Sequence, residues 1–228
     1  MKKRLFILAI IFSSFFALSA QESVSGEAKK SPLSSIDFLF EFSPAVYINP
    51  ESSLVSAPSP VIYPIGFGVL WPNYTTFAIQ PTISFFTMYH LWYDGMALPA
   101  EIENRTSQTI SLLLNLPAVF SIFQGEKSRF QLYAGAAVLM RFGMLANGVK
   151  ESDSGYTGTA GDDMTEINSW FWQNGRFLYA SLGGSWLYSF GKRFRAGPTV
   201  YAYFPLGSLI SGEGAQAMII SAGLKLCF

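Results

Sequence analysis

The sequence predicts an all-β chain that forms an eight-stranded antiparallel up-and-down transmembrane β-barrel. Three observations carry the prediction: eight runs of alternating apolar and polar residues, short connections that alternate with long ones, and aromatic residues at both ends of the apolar faces. A period of two places alternate side chains on opposite faces of a strand. Only 13% of the 228 residues are charged, against about 25% in a typical soluble domain.

The first 20 residues have the pattern of a secretory signal peptide. Three basic residues at positions 2 to 4 precede an apolar stretch from Leu5 to Leu18, and small residues follow. This apolar stretch is too short to span a bilayer as a helix. We expect cleavage after Ala20 and export of the protein.

Residues 21–35 are polar and rich in turn formers, which predicts a flexible periplasmic N-terminal tail ahead of a barrel over 36–228. Cys227 is the single cysteine and has no intrachain partner, so no disulfide framework exists. Without the three basic residues of the signal peptide, 12 basic residues stand against 15 acidic ones. This balance argues against a nucleic-acid partner, which calls for a basic face.

The mature chain lacks the sequence of a membrane-spanning helix. Its longest apolar run, Ile110 to Phe123, is broken by Asn115 and Pro117. A chain that crosses a membrane without such helices must use strands, and a closed barrel is the strand structure that satisfies its backbone in lipid.

The alternating runs begin with Phe38, Phe40 and Phe42 on one face and Asp37 and Glu41 on the other. Glycine, serine, threonine and glutamine oppose the apolar residues in the next runs, and the last three runs are weaker but keep the rule. A tilted strand needs about 9–11 residues to cross a bilayer, and each run reaches that length. The runs are Ile36–Ile48, Val61–Trp71, Thr76–His90, Ser107–Phe120, Arg129–Gly143, Leu178–Phe190, Phe194–Leu206 and Met218–Phe228.

The connections between the runs alternate in length. Short turns are expected at 72–75, 124–128 and 191–193, and long loops at 49–60, 92–104, 146–175 and 207–214. This alternation is typical of outer-membrane barrels, with long loops outside and tight turns in the periplasm. Both termini of the barrel are then expected in the periplasm.

The apolar face is expected to point outward, to lipid. A soluble lipocalin-type barrel has the same period with its apolar face inward, but it has no reason to sort aromatic residues to both ends. Two aromatic rings around an aliphatic band are favoured by the two interfaces of a bilayer. Inside the lumen, the charges of the opposite face can pair and form hydrogen bonds: Asp37, Glu41, Arg129, Arg141, Arg195 and Lys225.

The last eight residues, SAGLKLCF, resemble the terminal signal that the assembly machinery of outer-membrane barrels reads. Ser221, Gly223, Leu226 and Phe228 match it, with Leu226 where an aromatic residue is commoner. With the signal peptide and the eight runs, the chain from Ile36 resembles the small OmpA/OmpX/OmpW-type barrels, and most closely the OmpW-like group.

This resemblance implies a monomeric outer-membrane barrel in contact with lipids and the barrel-assembly machinery. It further implies a narrow, partly apolar channel for small, often hydrophobic molecules, or a structural porin relative. The residues expected to line the lumen are Asp37, Glu41, Phe86, Arg141, Tyr201 and Tyr203. The same side chains can instead plug a barrel that conducts nothing, and both alternatives stay open.

The second hypothesis is a surface-exposed adhesin or ligand-binding barrel whose long loops bind a partner. The loop Asn147 to Gly175 is the candidate, with a short helix expected near Asp162 or Asp163. Trp170 and Trp172 are its contact candidates, either folded into the barrel mouth or presented to a partner.

The third hypothesis is an outer-membrane enzyme that uses His90, the single histidine. Asp94 follows four residues later and Ser107 begins the next run, so a base and a nucleophile are conceivable at the barrel mouth. A solvated histidine at the end of a strand is the simpler interpretation, and we expect no enzyme. One histidine without a cysteine partner also predicts no structural metal site, and no cofactor is expected.

Overall fold

The computed structural model describes residues 35–50, 54, 57–191, 194–212 and 214–228. Its contacts separate the chain at Ile36, and residues 36–228 form one compact unit. The signal peptide predicted for 1–20 and the tail predicted for 21–35 lie outside the described residues, apart from Ser35.

In the described residues, twelve strands form one antiparallel sheet whose ends meet. The strands are β1 (Asp37–Phe42), β2 (Ala45–Ile48), β3 (Val61–Ile62), β4 (Ile65–Leu70), β5 (Phe77–Ile79), β6 (Thr82–Tyr93), β7 (Met96–Pro99), β8 (Ser107–Gln124), β9 (Ser128–Leu145), β10 (Leu178–Ser189), β11 (Arg195–Pro205) and β12 (Met218–Cys227). Both β1 and β2 pair with β12, and this pairing closes the ring. The pairs β1–β2, β3–β4 and β5–β6 each follow one another in line, and β7 only extends β6 as a hairpin. The wall therefore consists of eight segments, and the predicted eight-stranded antiparallel barrel is confirmed.

Prolines mark the places where the first three wall segments are interrupted. Pro44 separates β1 from β2, Pro64 separates β3 from β4, and Pro81 separates β5 from β6. Proline has no N–H group to donate to the ladder and is confined to irregular places in sheets. Each segment keeps its side-chain alternation across the interruption, because two residues separate the paired strands.

The apolar face of the wall points outward, as the sequence predicts. Trp186, Leu116 and Phe67 are 60, 58 and 58% exposed, whereas their sequence neighbours on the other face are buried or half-buried. The lumen holds a cluster of buried tyrosines and aliphatic residues that runs along the barrel. Large apolar side chains therefore cover the outside, which a soluble barrel would direct inward.

The connections differ at the two ends of the barrel, which we call the short-turn end and the long-loop end. The loop predicted over 92–104 is shorter than expected, because β6 continues to Tyr93 and forms a hairpin with β7 through Asp94 and Gly95. Both turn residues have positive φ, of 47° and 73°, and this hairpin extends the wall beyond its neighbours.

Two of the other long loops at this end, those after β9 and β11, carry helices. Helix α1 (Ala160–Trp172) lies in the loop after β9 and is followed by a 3-10 turn at Gln173–Gly175. A short helix, α2 (Leu206–Ser211), follows β11. None of the helices in the described ranges combines the length and the apolar character needed to cross a membrane.

Candidate functional site: the lumen and its cap

A charged layer occupies the lumen at the short-turn end. Arg195 forms an ion pair with Asp37, and both side chains are largely buried. Asn73 donates to the same carboxylate over 2.7 Å, and Arg129 donates to the backbone oxygen of Asn73 over 2.9 Å. Strands β1, β9 and β11 and the first short turn are thus joined across the lumen.

A second polar layer lies deeper in the barrel around Lys225, which is fully buried. Its Nζ lies 3.8 Å from Oε1 of Glu41, donates to Gln80, and donates to the hydroxyl of Tyr133 over 2.9 Å. Tyr201 donates to the same Glu41 oxygen over 3.1 Å. Every member of this network bonds to at least one other, so side chains from five wall segments meet at one level.

Stacked tyrosines continue this layer toward the long-loop end. The ring of Tyr201 stacks on Tyr133 at 5.3 Å and on Tyr203 at 5.7 Å. Phe86 and Tyr203 line a cavity of about 20 Å³, which is room for about one water molecule. An eight-stranded barrel is just wide enough for its own side chains to fill it, and that is the arrangement here.

Arg141 forms the third layer. Its Nη1 donates to the hydroxyl of Tyr47 over 2.9 Å and its Nη2 donates to the backbone oxygen of Arg176 over 3.2 Å. The guanidinium lies 4.2 Å from the centroid of the Phe171 ring. Arg141 is therefore held by hydrogen bonds and not by a carboxylate, since the ion pairs among the described residues join Arg195 to Asp37 and Lys225 to Glu41.

Helix α1 closes the long-loop end above Arg141. Its buried residues Ile167, Trp170 and Phe171 pack with Trp92 and Ala97 of the β6–β7 hairpin. We call α1 together with this hairpin the cap.

Two polar devices hold α1 in place. Thr159 is the N-cap and forms a capping box with Asp162. The sequence predicts Asp162 or Asp163 near the N-cap, and Asp162 is the third residue of the helix. The side chain of Asn168 accepts from the backbone N–H of Gly143 on β9 over 2.8 Å and donates to the backbone oxygen of Gly143 over 3.0 Å. The helix is therefore fixed at its start and again near its centre.

The two predicted tryptophans have different surroundings. Trp170 is 5% exposed and lies in the barrel mouth, where the guanidinium of Arg176 stacks on it at 4.2 Å. Trp172 is 41% exposed and contacts Phe142 and Phe177. Because Phe142 belongs to the outward face of β9, Trp172 extends the aromatic residues of the outer wall.

His90 is fully buried, so the interpretation of a solvated histidine is wrong. Its Nδ1 bonds to the hydroxyl of Thr109 over 2.7 Å, and its ring lies 4.9 Å from Phe171. Ser107 is paired with His90 across β6 and β8, but its hydroxyl donates to the backbone oxygen of Met144. The side-chain bond of His90 is thus made to Thr109 and not to the predicted nucleophile.

The C-terminal residues complete the closing strand. Phe228 is exposed on the outer wall and exchanges two backbone hydrogen bonds of 2.9 Å with Phe38. Leu226 is half-buried on the same face, opposite Phe40. A Cβ on Gly223 would lie 2.1 Å from the backbone oxygen of Phe42, so glycine is required there for β12 to pass the break after β1.

Several residues of these layers were not singled out by the sequence. Gln80 lies at a proline break and Tyr47 lies on the lumen face of β2, yet both bond to charged groups of distant strands. Phe171, between the two predicted tryptophans, makes the contact with Arg141. Their position on the lumen face is predictable from the alternation, but their partners depend on the register across the barrel.

No known protein family and no curated protein matches this sequence. Among solved structures, the N-terminal β-barrel domain of OprF from Pseudomonas aeruginosa is 13% identical and covers 85% of this chain and 98% of its own, with a TM-score of 0.39. The outer-membrane protein OprG from the same organism is 9% identical, with 84 and 95% covered and a TM-score of 0.47. The attachment invasion locus protein Ail of Yersinia pestis is 5% identical, with 85 and 97% covered and a TM-score of 0.43.

Proposed function

We propose that the chain is an outer-membrane β-barrel with a closed lumen that acts at the cell surface through its cap, and not as an open channel. The observation that carries this proposal is the filling of the lumen by three successive layers of bonded side chains. The channel suggested by the sequence needs a continuous path through the lumen. A barrel filled by its own charged and tyrosine side chains favours the second hypothesis, in which the barrel is a rigid mount for surface loops.

The outer wall supports the membrane location. All six charged residues of the described strands lie on the lumen side of the wall: Asp37, Glu41, Arg129, Arg141, Arg195 and Lys225. A basic residue on the lipid side costs about 2–4 kcal/mol at the bilayer midplane. A wall without charges and with exposed aromatic and aliphatic residues suits a hydrocarbon environment.

The cap supports the assignment of a surface role to the long loops. Loops with a capped helix, a hairpin and their own apolar cluster present one defined surface, which lowers the entropic cost of binding a partner. Exposed apolar residues on these loops provide contact area: Ile102, Tyr156, Leu209 and Ile210.

Permeation through reconstituted vesicles tests the closed lumen. Vesicles that contain the full chain and a trapped small dye should leak no faster than vesicles without protein. A variant with Tyr133→Ala and Tyr201→Ala, which removes two stacked rings from the second layer, should leak measurably. Passage of the dye through the unaltered chain at the rate of the opened variant would overturn the proposal.

Cysteine labelling tests the orientation of the loops, because the native Cys227 is buried and gives a low background. Ser152→Cys lies in the loop before α1 and Glu126→Cys lies in a short turn, and both positions are exposed. A membrane-impermeant maleimide should label Ser152→Cys in intact cells and Glu126→Cys only after the outer membrane is opened. The reverse pattern would place the cap in the periplasm and exclude a surface role.

A second candidate function rests on a groove in the outer wall. The groove has a volume of about 580 Å³ and is lined mainly by Phe67, Ile83, Leu114, Leu116, Ala136 and Val138, with Thr82 and Asn115 from the lumen face also in its lining. A small hydrophobic molecule that moves sideways between lipid and lumen would use this place. Uptake of a fluorescent fatty acid by vesicles, compared between the unaltered chain and Ala136→Phe, tests it: equal uptake would exclude this route.

A further inference from the structure

The upper lumen, just below the cap, contains a group of buried side chains whose polar atoms the closed-barrel proposal does not use. We call this part of the lumen the upper chamber; the residues that lie there are Arg141, Ser111, His90, Tyr47 and Phe171. Ser111 and Arg141 are directly paired across β8 and β9, and both side chains face the lumen. His90 and Arg141 both contact the ring of Phe171, at 4.9 and 4.2 Å, so both lie next to the same residue of the cap.

The chamber holds a positive charge without a carboxylate. Arg141 is 1% exposed, and its two hydrogen-bond acceptors are the neutral hydroxyl of Tyr47 and a backbone oxygen. The ion pairs found in the described part of the chain leave Arg141 out. Burial of a charge without a counter-charge is costly, and Lys225 and Arg195 in the same lumen each have an acidic partner.

Three potential hydrogen-bond donors of the chamber are left without an acceptor. Within the described residues, Nε of Arg141, Oγ of Ser111 and Nε2 of His90 are buried and have no hydrogen-bond partner. When Thr109 donates to Nδ1 of a neutral His90, the proton of the ring is on Nε2, which is then a donor. Buried polar atoms are nearly always bonded, so a cluster of unpaired ones indicates a missing acceptor.

We propose that the upper chamber binds a small anion of halide size, held by Arg141, Ser111 and His90. An anion supplies both the missing acceptor and the missing negative charge, whereas a water molecule supplies only the acceptor. The aromatic ring over the guanidinium covers the chamber from above, which favours a monatomic anion over a phosphate or a carboxylate. This site is independent of whether the cap binds a partner.

Crystals of the full chain grown in sodium bromide test the proposal through the anomalous signal of bromide. The expected result is an anomalous peak within hydrogen-bonding distance of Arg141 Nε and Ser111 Oγ. Arg141→Gln should abolish this peak and Ser111→Ala should weaken it. Ser43→Ala is the matched control, because Ser43 is another buried lumen serine whose hydroxyl has no partner in the described chain, but it lines the cavity beside the carboxylate of Glu41.

The outcomes separate an anion from solvent. A peak that is present in the unaltered chain and in Ser43→Ala, and reduced in Ser111→Ala, supports the site even when Arg141→Gln does not fold. An ordered water without anomalous signal, or a bromide peak that Ser111→Ala leaves unchanged, overturns it.

Discussion

At the scale of single residues, Lys225 shows how a charge is kept inside the barrel. It lies on the last strand, and its partners Glu41, Gln80 and Tyr133 lie on three other wall segments. Removal of one member of a buried ion pair leaves the other charge without compensation, which costs about 3–5 kcal/mol. The pair therefore ties the closing strand to the opposite side of the lumen.

We predict that Lys225→Met lowers the free energy of unfolding by about 3–5 kcal/mol. The double variant with Glu41→Gln should recover part of this loss, since no buried charge then remains. Urea-induced unfolding in lipid vesicles measures both changes. Lys150→Met, at an exposed loop position, is the control and should change the free energy of unfolding by less than about 0.5 kcal/mol. An equal loss of stability in Lys225→Met and Lys150→Met would contradict the role of the network.

The sequence identified the lumen residues but not their bonds. Alternation alone places Asp37, Glu41, Arg141 and Lys225 on one face, and the structure shows each of them buried. The alternation does not reveal that Glu41 contacts Lys225 or that Arg141 contacts Phe171. The first contact joins strands more than a hundred positions apart in the sequence, and the second joins a strand to a helix in a loop. The burial of His90 was missed for the same reason: a helix from a distant loop covers it.

At the scale of elements, α1 depends on its first turn. The backbone N–H and the hydroxyl of Thr159 both donate to the carboxylate of Asp162. These bonds lower the pKa of Asp162 below its ordinary value of 3.8, because hydrogen bonds to the charged form favour it. The folded carboxylate thus stabilises the helix start above the ordinary pKa, and this contribution is lost as the pH falls through the lowered folded pKa.

We predict that amide protection in the first turns of α1, corrected for intrinsic exchange, falls as the pH is lowered from 5 to 2. Asp162→Asn should have weaker protection at pH 5 and a flatter profile. Asp163 accepts hydrogen bonds from Tyr156 and Thr157 and is unchanged in Asp162→Asn. The difference between the profiles of the unaltered chain and Asp162→Asn therefore reports the contribution of Asp162. Identical profiles would show that the capping carboxylate does not control the helix start.

The sequence predicts long strands better than interrupted strands and short hairpins. The long strands β8 and β9 follow directly from alternation, since their ladder is continuous from Ser107 to Ser121 and shifts register only between Ser121 and Phe123. The breaks at Pro44, Pro64 and Pro81 follow from the missing N–H group, but their effect on pairing needs the neighbouring strand. The sequence predicts a loop where the β6–β7 hairpin lies, because the turn at Asp94 and Gly95 is followed by only four paired residues.

At the scale of the whole molecule, the barrel has an inverted distribution of side chains. Its exterior carries exposed aromatic and aliphatic residues, and its interior carries charges, tyrosines and amides. In water such a molecule would expose far more apolar area than a monomeric protein tolerates. In a bilayer the same surface is favourable, and the wall satisfies its own backbone hydrogen bonds.

We predict that Leu182→Arg destabilises the barrel in lipid vesicles by about 2–4 kcal/mol. Leu182 is 51% exposed and lies in the aliphatic part of the outer wall, between Leu178 and Trp186 on β10. Ile210→Arg, on α2 at the long-loop end, is the matched control and should cost less than about 1 kcal/mol, because the penalty fades near the interface. Equal costs at the two positions would show that the wall does not lie in hydrocarbon.

The sequence by itself determined the number of wall segments, their antiparallel order and the face that each presents to the outside. These properties are local, because the alternation of side chains and the length of each connection depend only on consecutive residues of the sequence. The tertiary structure decided how the lumen is filled, which charges pair, and that α1 closes the long-loop end. Those properties depend on the register across a closed ring and on the packing of a distant loop, and neither can be obtained from neighbouring residues alone.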